Sequence, residues 1–332
     1  MNKLYKKNLL NICFVLFSYR RREAISAEHR LVVTLRFLAS GAPYRTSLQW
    51  AFCMPHNTLS GVIRETCDAI HEAFADEVYQ LPTTPEGWKE ASRGFSERWN
   101  FEHCLGAIDG KHVAIKKPKG SGSLHYNYKG FCSIVLMAIV DSDYKFVWIH
   151  VGAPGSQSDG GIWKRSHLYR KVCEGTQGIP APEPLPGQRT PVPWFFVGDD
   201  AFALAPWMQK PYPHRGQTRR ERLFNYRLSR ARRIVENGFG ILAGRWRCLT
   251  TTLGQAPENA AKVTTACVDL HNLVRMRRGR PQRGEVDGED EDGAWRQERQ
   301  LRDNDNPDGA RPGNTQAARY REAVAAREYL KN

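Results

Sequence analysis

The sequence predicts an α/β fold in which a mixed β-sheet is flanked by helices and preceded by a helical segment. Three successive apolar runs are typical of strands: CLGAIDGKHVAI, FCSIVLMAIV and FVWIHVG. A helical stretch, a short strand at WFFVG and a long helix follow them. The turn DSDYK between the second and third runs indicates a hairpin. This order is that of ribonuclease-H-like domains, although many other α/β folds begin in the same way.

Four regions are predicted along the chain. A basic and apolar segment covers residues 1–25, a helical region 26–80, the main domain 95–276 and a charged tail 277–332, with LPTTPEGW as a linker before the main domain. The first apolar run is too short to span a bilayer and lacks a small-residue cleavage site, so we expect a packed helix there. The composition of the tail is typical of disorder, with one further helix at its end.

The helical region 26–80 has the pattern of a helix-turn-helix. Ser26 is a partial N-cap signal for a first helix with leucines at helical spacing. A short helix, a break at Met54–Pro55 and a longer helix follow. A DNA reader would place its base contacts on the exposed first turns of that longer helix, at His56, Asn57, Ser60 and Arg64. An ordinary helical hairpin packed on the main domain fits this spacing equally well.

The charge of the chain favours a polyanionic partner. The 332 residues carry a formal net charge of +14, and 41% of them are hydrophobic, so a substantial core can form. Solubility alone would explain a positive charge, but this charge is unevenly placed. Residues 210–247 hold one lysine and ten arginines against two glutamates. Aromatic residues that could stack on unpaired bases are interleaved with them, although some must be core: Tyr212, Phe224, Tyr226 and Trp246.

The eight cysteines are scattered along the chain and include no CxxC pair. This pattern argues against a zinc knuckle or ribbon. Most of the cysteines have apolar neighbours, so we interpret them as small core residues in a reducing compartment.

Three acidic residues stand out because of their positions. Asp109 lies within the first apolar strand, Asp199 closely follows the WFFV strand, and Glu236 lies at the margin of the buried stripe of the long helix. A carboxylate on an apolar strand is costly to bury unless a cation compensates it. Brought together, the three would form an oxygen-rich site suited to Mg²⁺ or Mn²⁺. Taken alone, Glu236 is better explained by a surface pair with the arginines one turn before it.

Several long motifs, in a consistent order, carry a resemblance to a known family. They are GAIDGKHV (106–113), NYKGFCSIVLMAIVDSDYKF (127–146), GAPGSQSDGG (152–161), VGDDAF (197–202), FNYRLSRARRIVENGFGIL (224–242) and LHN (270–272). Over roughly residues 25–275 the chain resembles the Harbinger transposase-derived nucleases, which descend from transposases of PIF/Harbinger DNA transposons.

The resemblance implies a ribonuclease-H-like fold and an Asp-Asp-Glu catalytic triad, which falls on Asp109, Asp199 and Glu236. Asp159 is a further acid typical of the family and a candidate metal ligand whose role stays open. Asp200 is the nearest rival of Asp199, but neighbours on a strand point to opposite faces, so only one should serve the site. The implied cofactor is Mg²⁺ or Mn²⁺, as two ions roughly 3.5–4 Å apart that Asp109 would bridge.

The resemblance also implies DNA as the partner, contacted in part by the N-terminal helices, and a separate Myb-like DNA-binding protein. The basic residues expected to contact DNA are Arg64, Lys111, Lys116, Lys117, Arg227, Arg230, Arg232 and Arg233. His112 is better interpreted as a satisfied strand residue than as a phosphate ligand.

We expect a nuclear protein with a cytoplasmic pool, able to form a homo-oligomer and not bound to a membrane. KKPK (116–119) and RMRRGRPQR (275–283) are candidate import signals and equally good phosphate patches.

The sequence therefore predicts a metal-dependent DNA endonuclease of DDE transposase origin. The alternative is a catalytically silent, domesticated DNA- or protein-binding module on the same fold. An RNA-processing enzyme of ribonuclease-H-like fold is allowed by the architecture but has no support from the motifs. Metal-dependent cleavage distinguishes the first two, because neutralising one acid should abolish cleavage and leave DNA binding intact only in an enzyme.

Overall fold

The computed structural model describes residues 25–213 and 215–278. The predicted packed helix in the first segment and the predicted charged tail lie outside the described residues. Four helices come first: α1 (Ala27–Ser40), α2 (Gln49–Phe52), α3 (His56–Val78) and α4 (Pro85–Trp99), with a π-helical turn at Tyr44–Leu48. No helix within the described residues is long and apolar enough to cross a membrane.

The helical region begins and breaks where the sequence predicts. The Ser26 side chain accepts a hydrogen bond from the His29 amide at 3.2 Å and caps α1. Gly41 ends α1 in the left-handed conformation, at φ 65°. The Met54–Pro55 break separates α2 from α3 as predicted. The predicted linker is partly wrong, because α4 begins inside it: Thr84 caps α4 through the Gly87 amide and Pro85 occupies its first position.

A five-stranded mixed sheet forms the centre of the molecule. Strands β1 (Cys104–Ala114), β2 (Ser133–Val140) and β3 (Phe146–Pro154) are antiparallel neighbours, as the predicted hairpin requires. Helices α5 (Asp159–Arg165) and α6 (His167–Cys173) follow β3. A separate two-stranded ribbon of β4 (Glu183–Pro184) and β5 (Pro191–Val192) lies in a proline-rich part of the chain, residues 179–193. The sequence does not predict this ribbon.

The second half of the chain completes the sheet and covers it. Strands β6 (Phe195–Val197) and β7 (Met208–Gln209) are parallel to β1, which gives the order β3-β2-β1-β6-β7. Helix α7 (Arg219–Arg245), a 3₁₀ turn (Arg247–Thr250) and helix α8 (Pro257–Arg278) follow. This mixed sheet, flanked by helices, is consistent with the predicted ribonuclease-H-like fold.

The two faces of the sheet are buried against different helices. On one face, Ala107 and Val113 of β1 join a core that includes α7, α8 and the N-terminal helices. On the other face, Ile108 packs in a second core with Trp163 of α5 and Trp88 of α4. All of β2 is buried, as its uninterrupted apolar sequence predicts. Because β1 is also covered on both sides, it offers polar groups to solvent only near its end.

The LHN motif closes the domain through hydrogen bonds across long stretches of sequence. Asn272 of α8 accepts a hydrogen bond from the Phe146 amide at 2.9 Å and donates to the Phe146 carbonyl at 2.8 Å and to the Val78 carbonyl at 3.2 Å. His271 Nε2 lies 2.8 Å from the Tyr144 carbonyl. One side chain therefore joins the exposed edge of β3 to the end of α3, and burial makes each of these hydrogen bonds costly to lose.

The contact between α3 and α8 contains a buried charge. Asp269 is fully buried, and its carboxylate lies 3.0 Å from Nδ1 of the half-exposed His71. The hydrogen bond to Asp269 raises the pKa of His71 above its usual value, against the opposing effect of partial burial. The charged pair therefore favours protonated His71 in the folded protein.

We expect His71→Gln to reduce thermal stability most at acidic pH. Because the folded-state pKa of His71 is raised, its contribution is fully present below the ordinary pKa of about 6.5 and is lost as the pH rises through the higher folded-state value. Thermal unfolding of both proteins between about pH 6 and pH 9 measures this difference. His29→Gln, at an exposed histidine of α1, is the control; a His71→Gln effect independent of pH would contradict the assignment.

Candidate active site

Strand pairing brings two of the predicted catalytic acids to the same level of the sheet. The parallel register of β1 and β6 places Ala107 beside Val197. Two residues further along each chain are Asp109 and Asp199. Gly198 confirms the continued approach, because a Cβ on it would come within 3.3 Å of the Ile108 side chain. The β1–β6 pairing therefore places the two carboxylates together, as the sequence predicts.

Asp109 is buried in a way that disfavours its charge. Burial is the largest effect, followed by the neighbouring charge of Asp199, and together they raise the pKa of Asp109 to about 7. Asp159 raises this pKa further. Arg232 and a 2.8 Å hydrogen bond from the Gly110 amide act in the opposite direction. The site therefore holds like charges in a poorly solvated place, which is the arrangement that a cation would relieve.

Asp159 joins the pair from the opposite face of β1. It is the first residue of α5, and its carboxyl group packs so closely on Gly110 that a Cβ there would collide with it. Burial, then the charge of Asp199, raise the pKa of Asp159 to about 6, while Lys129 opposes the shift. The geometry thus assigns a place beside Asp109 and Asp199 to an acid that the sequence alone left without a role.

A second glycine allows this approach. A Cβ on Gly160 would collide with the carbonyl oxygen of Ala201, in the loop that follows β6. That loop is shaped by the Asp199 carboxylate, which accepts a hydrogen bond from the Ala201 amide at 2.9 Å. Gly160 therefore lets α5 rest directly on the loop that carries Asp199, and the glycine that follows Asp159 in SQSDGG was the available sequence signal for this placement.

The structure distinguishes Asp199 from Asp200, but not through the alternation along a strand that the sequence predicts. Both residues lie beyond β6 in the loop, so alternation along a strand does not separate them. Asp200 is exposed and lies 3.7 Å from Lys210, whereas Asp199 is partly buried beside Asp109. Asp199 is therefore the acid that faces the candidate site.

Glu236 lies on α7, and its carboxylate is paired with a neighbouring arginine. Its carboxylate accepts a hydrogen bond from Arg232 at 3.3 Å, one helical turn away, and about half of its side chain is exposed. The same Arg232 lowers the pKa of Asp109, so its positive charge lies near both acids. Among the described residues, no three His, Cys, Asp or Glu side chains are arranged to hold a metal ion.

The donor chemistry nevertheless fits a hard divalent cation. Asp109, Asp159 and Asp199 offer carboxylate oxygens and no sulfur or imidazole, which is the ligand set that Mg²⁺ and Mn²⁺ prefer. Burial first, and then the charge of Asp199, raise the pKa values of Asp109 and Asp159. For Glu236 to complete such a site, its carboxylate would have to exchange Arg232 for the ion.

The predicted DNA contacts differ in their accessibility. Arg64, Lys116 and Lys117 are exposed, while Lys111, Arg230, Arg232 and Arg233 are partly buried. Arg227 is the exception: only 5% of it is exposed, within the core stripe of α7, so the structure removes it from the set of surface phosphate contacts. Of the aromatic residues between these arginines, Tyr226 is exposed, and the others are buried: Tyr212, Phe224 and Trp246.

His112 is a satisfied strand residue, as predicted. Its Nδ1 lies 2.8 Å from the Ser133 hydroxyl on β2, and its ring meets the edges of Tyr128 and Phe131. It therefore supports the loop beyond β1 and does not join the acid cluster.

Residues 108–272 match the family described as DDE superfamily endonuclease. This part of the chain is therefore a DDE superfamily endonuclease domain, and it contains all four of the acids Asp109, Asp159, Asp199 and Glu236. No solved structure matches the chain significantly.

Comparison with curated proteins indicates which relatives within the DDE superfamily this chain resembles. The chain is 27% identical over 261 residues to "Protein ALP1-like" of Arabidopsis thaliana, which covers 78% of this chain and 63% of that relative. It is 25% identical over 257 residues to "Putative nuclease HARBI1" of Homo sapiens and of Bos taurus, covering 76% of this chain and 69% of each relative. The resemblance to the Harbinger transposase-derived nucleases is thus confirmed.

We expect Gly160→Ala to destabilise the protein by about 1–3 kcal/mol, because the added methyl group would force α5 away from the loop that carries Asp199. Gly240→Ala is the matched control. Gly240 is also helical, on α7, and its Cβ would meet open space, so helix propensity alone should stabilise that variant by about 0.5–1 kcal/mol. Urea unfolding checks both signs; equal effects would contradict the close packing of α5.

We expect Asp109→Asn to stabilise the protein in the presence of a chelator, by an amount on the order of a few kcal/mol. The folded-state pKa is raised from 3.8 to about 7, so the cost of the charged form grows as the pH rises between these values and stays constant above them. Thermal unfolding across this pH range measures the gain. Asp200→Asn, which loses only an exposed ion pair with Lys210, should change little at any pH.

Proposed function

We propose that this chain is a metal-dependent DNA endonuclease of DDE transposase origin. The observation that carries the proposal is the placement of Asp109 beside Asp199 by the β1–β6 register, with Asp159 packed on the adjacent Gly110, inside a DDE superfamily endonuclease domain. Buried like charges are destabilising, so their retention at one place is best explained by a cation that they bind. The relatives named as nucleases support the same class of reaction.

Asp109, Asp199 and Glu236 would hold the metal, with Asp159 as a further ligand. When bound, Mg²⁺ or Mn²⁺ would polarise the scissile phosphate and activate water or a DNA 3′-hydroxyl. The Gly110 amide holds one oxygen of Asp109 in place, and the Ala201 amide does the same for Asp199, so both carboxylates are oriented in advance. Arg232, released from Glu236, would be available to a phosphate oxygen.

DNA is the proposed substrate because the surroundings of the acids are basic. Lys116 and Lys117 are exposed beyond the end of β1, and α7 carries the arginines near Glu236. Arg64 on α3 is exposed, as a DNA-reading helix of a helix-turn-helix would require. The packing of α3 on α8 is equally consistent with a purely structural role for this helix. A Myb-like partner, a homo-oligomer and a nuclear location belong to the same proposal and follow from the family resemblance alone.

A catalytically silent binding module is the second candidate, and one observation favours it. Glu236 is paired with Arg232, and no three-ligand group is formed among the described residues. If that pairing persisted in the presence of metal, the domain would keep its basic surface and lose its chemistry.

The deciding experiment is cleavage of supercoiled and linear DNA with Mn²⁺, with Mg²⁺ and with chelator. We expect metal-dependent nicking by the wild-type protein and its loss, by roughly 100-fold or more, in Asp199→Asn, because removal of a metal-ligating charge removes most of the stabilisation of the transition state. Asp200→Asn is the matched control and should cleave normally, since Asp200 faces Lys210 and not the acid cluster.

DNA binding by each variant is measured in the same series. Binding by Asp199→Asn should be unchanged or stronger, because one negative charge has been removed. Wild-type protein that binds DNA without cutting it would favour the silent module. Cleavage that survives in Asp199→Asn and disappears in Asp200→Asn would transfer the catalytic role to the neighbouring acid.

A further inference from the structure

The loop between β1 and β2 exposes large apolar side chains beside the acid cluster. Within residues 124–131, which we call the tyrosine loop, Leu124, Tyr126 and Tyr128 are 51%, 54% and 84% exposed. The residues between them, His125 and Asn127, are buried. Exposing an aromatic side chain to water costs free energy, so in the absence of other constraints these rings would turn inward. The alternation indicates that the ordered structure of the loop holds them in solvent.

Asn127 builds the tyrosine loop from within. Its side-chain oxygen accepts hydrogen bonds from the amides of Lys129 at 3.0 Å and Phe131 at 3.2 Å, and its side-chain nitrogen donates to the Ser133 hydroxyl at 2.9 Å. The His125 carbonyl accepts from the Ser133 amide at 2.8 Å. These hydrogen bonds fix the loop on β2, so little conformational freedom remains to be lost when a ligand binds.

The tyrosine loop is also tied to the segment that carries Asp159. A Cβ on Gly155 would collide with the His125 carbonyl, and the Ser156 amide donates to the Leu124 carbonyl at 3.4 Å. Tyr128 and Asp159 therefore belong to one continuous surface.

The distance from Tyr128 to the proposed scissile position suits a few nucleotides. The Tyr128 ring lies 5.5 Å from that of His112, and His112 follows Asp109 by three residues on β1. Three residues of strand span about 10 Å. The separation of the two rings adds to this length, so Tyr128 lies a few nucleotide lengths from Asp109.

The chemistry of the surroundings selects the kind of partner. The stretch from Ile115 to Cys132 contains four lysines and no acidic residue, and the Lys129 ammonium group lies 5.5 Å from the centre of the Tyr128 ring. Flat aromatic faces interleaved with cations match a polyanion that offers flat rings of its own. The bases of an intact duplex are stacked on one another, so only unpaired nucleotides can present their faces.

We propose that Tyr128, supported by Tyr126, is a stacking platform for unpaired DNA bases next to the cleavage position, so that this chain favours substrates with melted or unpaired nucleotides there. The inference rests on the proposed nuclease function for its choice of DNA. Tyr128 is a positioning residue: it would hold a flanking base and thereby place the phosphate over the acids.

Equilibrium binding in the presence of a chelator tests the platform without any need for cleavage. The probes are a labelled DNA duplex and the same duplex with a short unpaired stretch, compared by fluorescence anisotropy. We expect wild-type protein to prefer the second probe and Tyr128→Ala to lose about 5- to 150-fold of affinity for it, since base–aromatic stacking contributes that much per base. Affinity for the intact duplex should change by less than about twofold, because phosphate contacts dominate there.

Two variants separate stacking from other roles of the ring. Tyr128→Phe keeps the flat ring and should bind as the wild-type protein does. Trp50→Ala removes an equally exposed aromatic residue on α2 and should leave the ratio of the two affinities unchanged. A 2-aminopurine base in the unpaired stretch should be quenched by wild-type and Tyr128→Phe protein and not by Tyr128→Ala, a signature that a purely structural role would not produce.

The outcomes distinguish this inference from the nuclease proposal. A wild-type protein without preference for unpaired DNA, or an equal loss on both probes in Tyr128→Ala, would overturn the stacking platform and leave the exposed tyrosines as a protein-docking surface. Neither result bears on cleavage by Asp109 and Asp199. Conversely, selective loss of unpaired-DNA binding in a protein that never cleaves would support the platform while the nuclease proposal fails.

Discussion

The parallel pairing of β1 with β6 is the contact on which the candidate site depends. Only three residues of β6 take part, yet their register with β1 sets Asp109 and Asp199 at the same level of the sheet. The loop after β6 then receives α5, which brings Asp159 against Gly110. The position of Asp159 depends on the loop after β6, and the position of that loop depends on the β1–β6 pairing. The order of strands in the sheet therefore determines where these acids lie. Burial by the helices on both faces supplies the poorly solvated surroundings that raise the pKa values of Asp109 and Asp159.

Two demands therefore conflict at this end of the sheet. Core packing covers β1 on both faces, while the proposed function requires charged groups at its end. The conflict is moderated by local dipoles and charges, which are the amides of Gly110 and Ala201 and the guanidinium group of Arg232. Full compensation would come from a bound cation. The hydrogen bond from Arg232 to Glu236 places a positive charge between this helix and Asp109, and it offsets part of the negative charge at this end of the sheet.

The strands and helices with strong periodicity could be predicted from the sequence, because apolar runs such as those of β1 to β3 are decided locally. The Met54–Pro55 break and the acids Asp109 and Asp199 followed from the same patterns. Asp159 could not be given a role, since its position depends on two glycines that contact residues about 40–50 positions away. The start of α4 was missed although Thr84-Pro85 is a capping signal. The burial of Arg227 depends on tertiary packing, which a list of basic residues does not reveal.

The long-range hydrogen bonds of Asn272 have a consequence for folding during synthesis on the ribosome. The carbonyl group of Val78 that it binds is synthesised 194 residues earlier, and the edge of β3 that it satisfies 126 residues earlier. Until α8 leaves the exit tunnel, the apolar side of α3 and the open edge of β3 have no covering partner from this helix. At translation speeds of about 5–20 residues per second, that interval lasts roughly 10–40 seconds. A chaperone that binds during this interval would therefore encounter a chain whose first helices are already synthesised and whose sheet is not yet covered by α8.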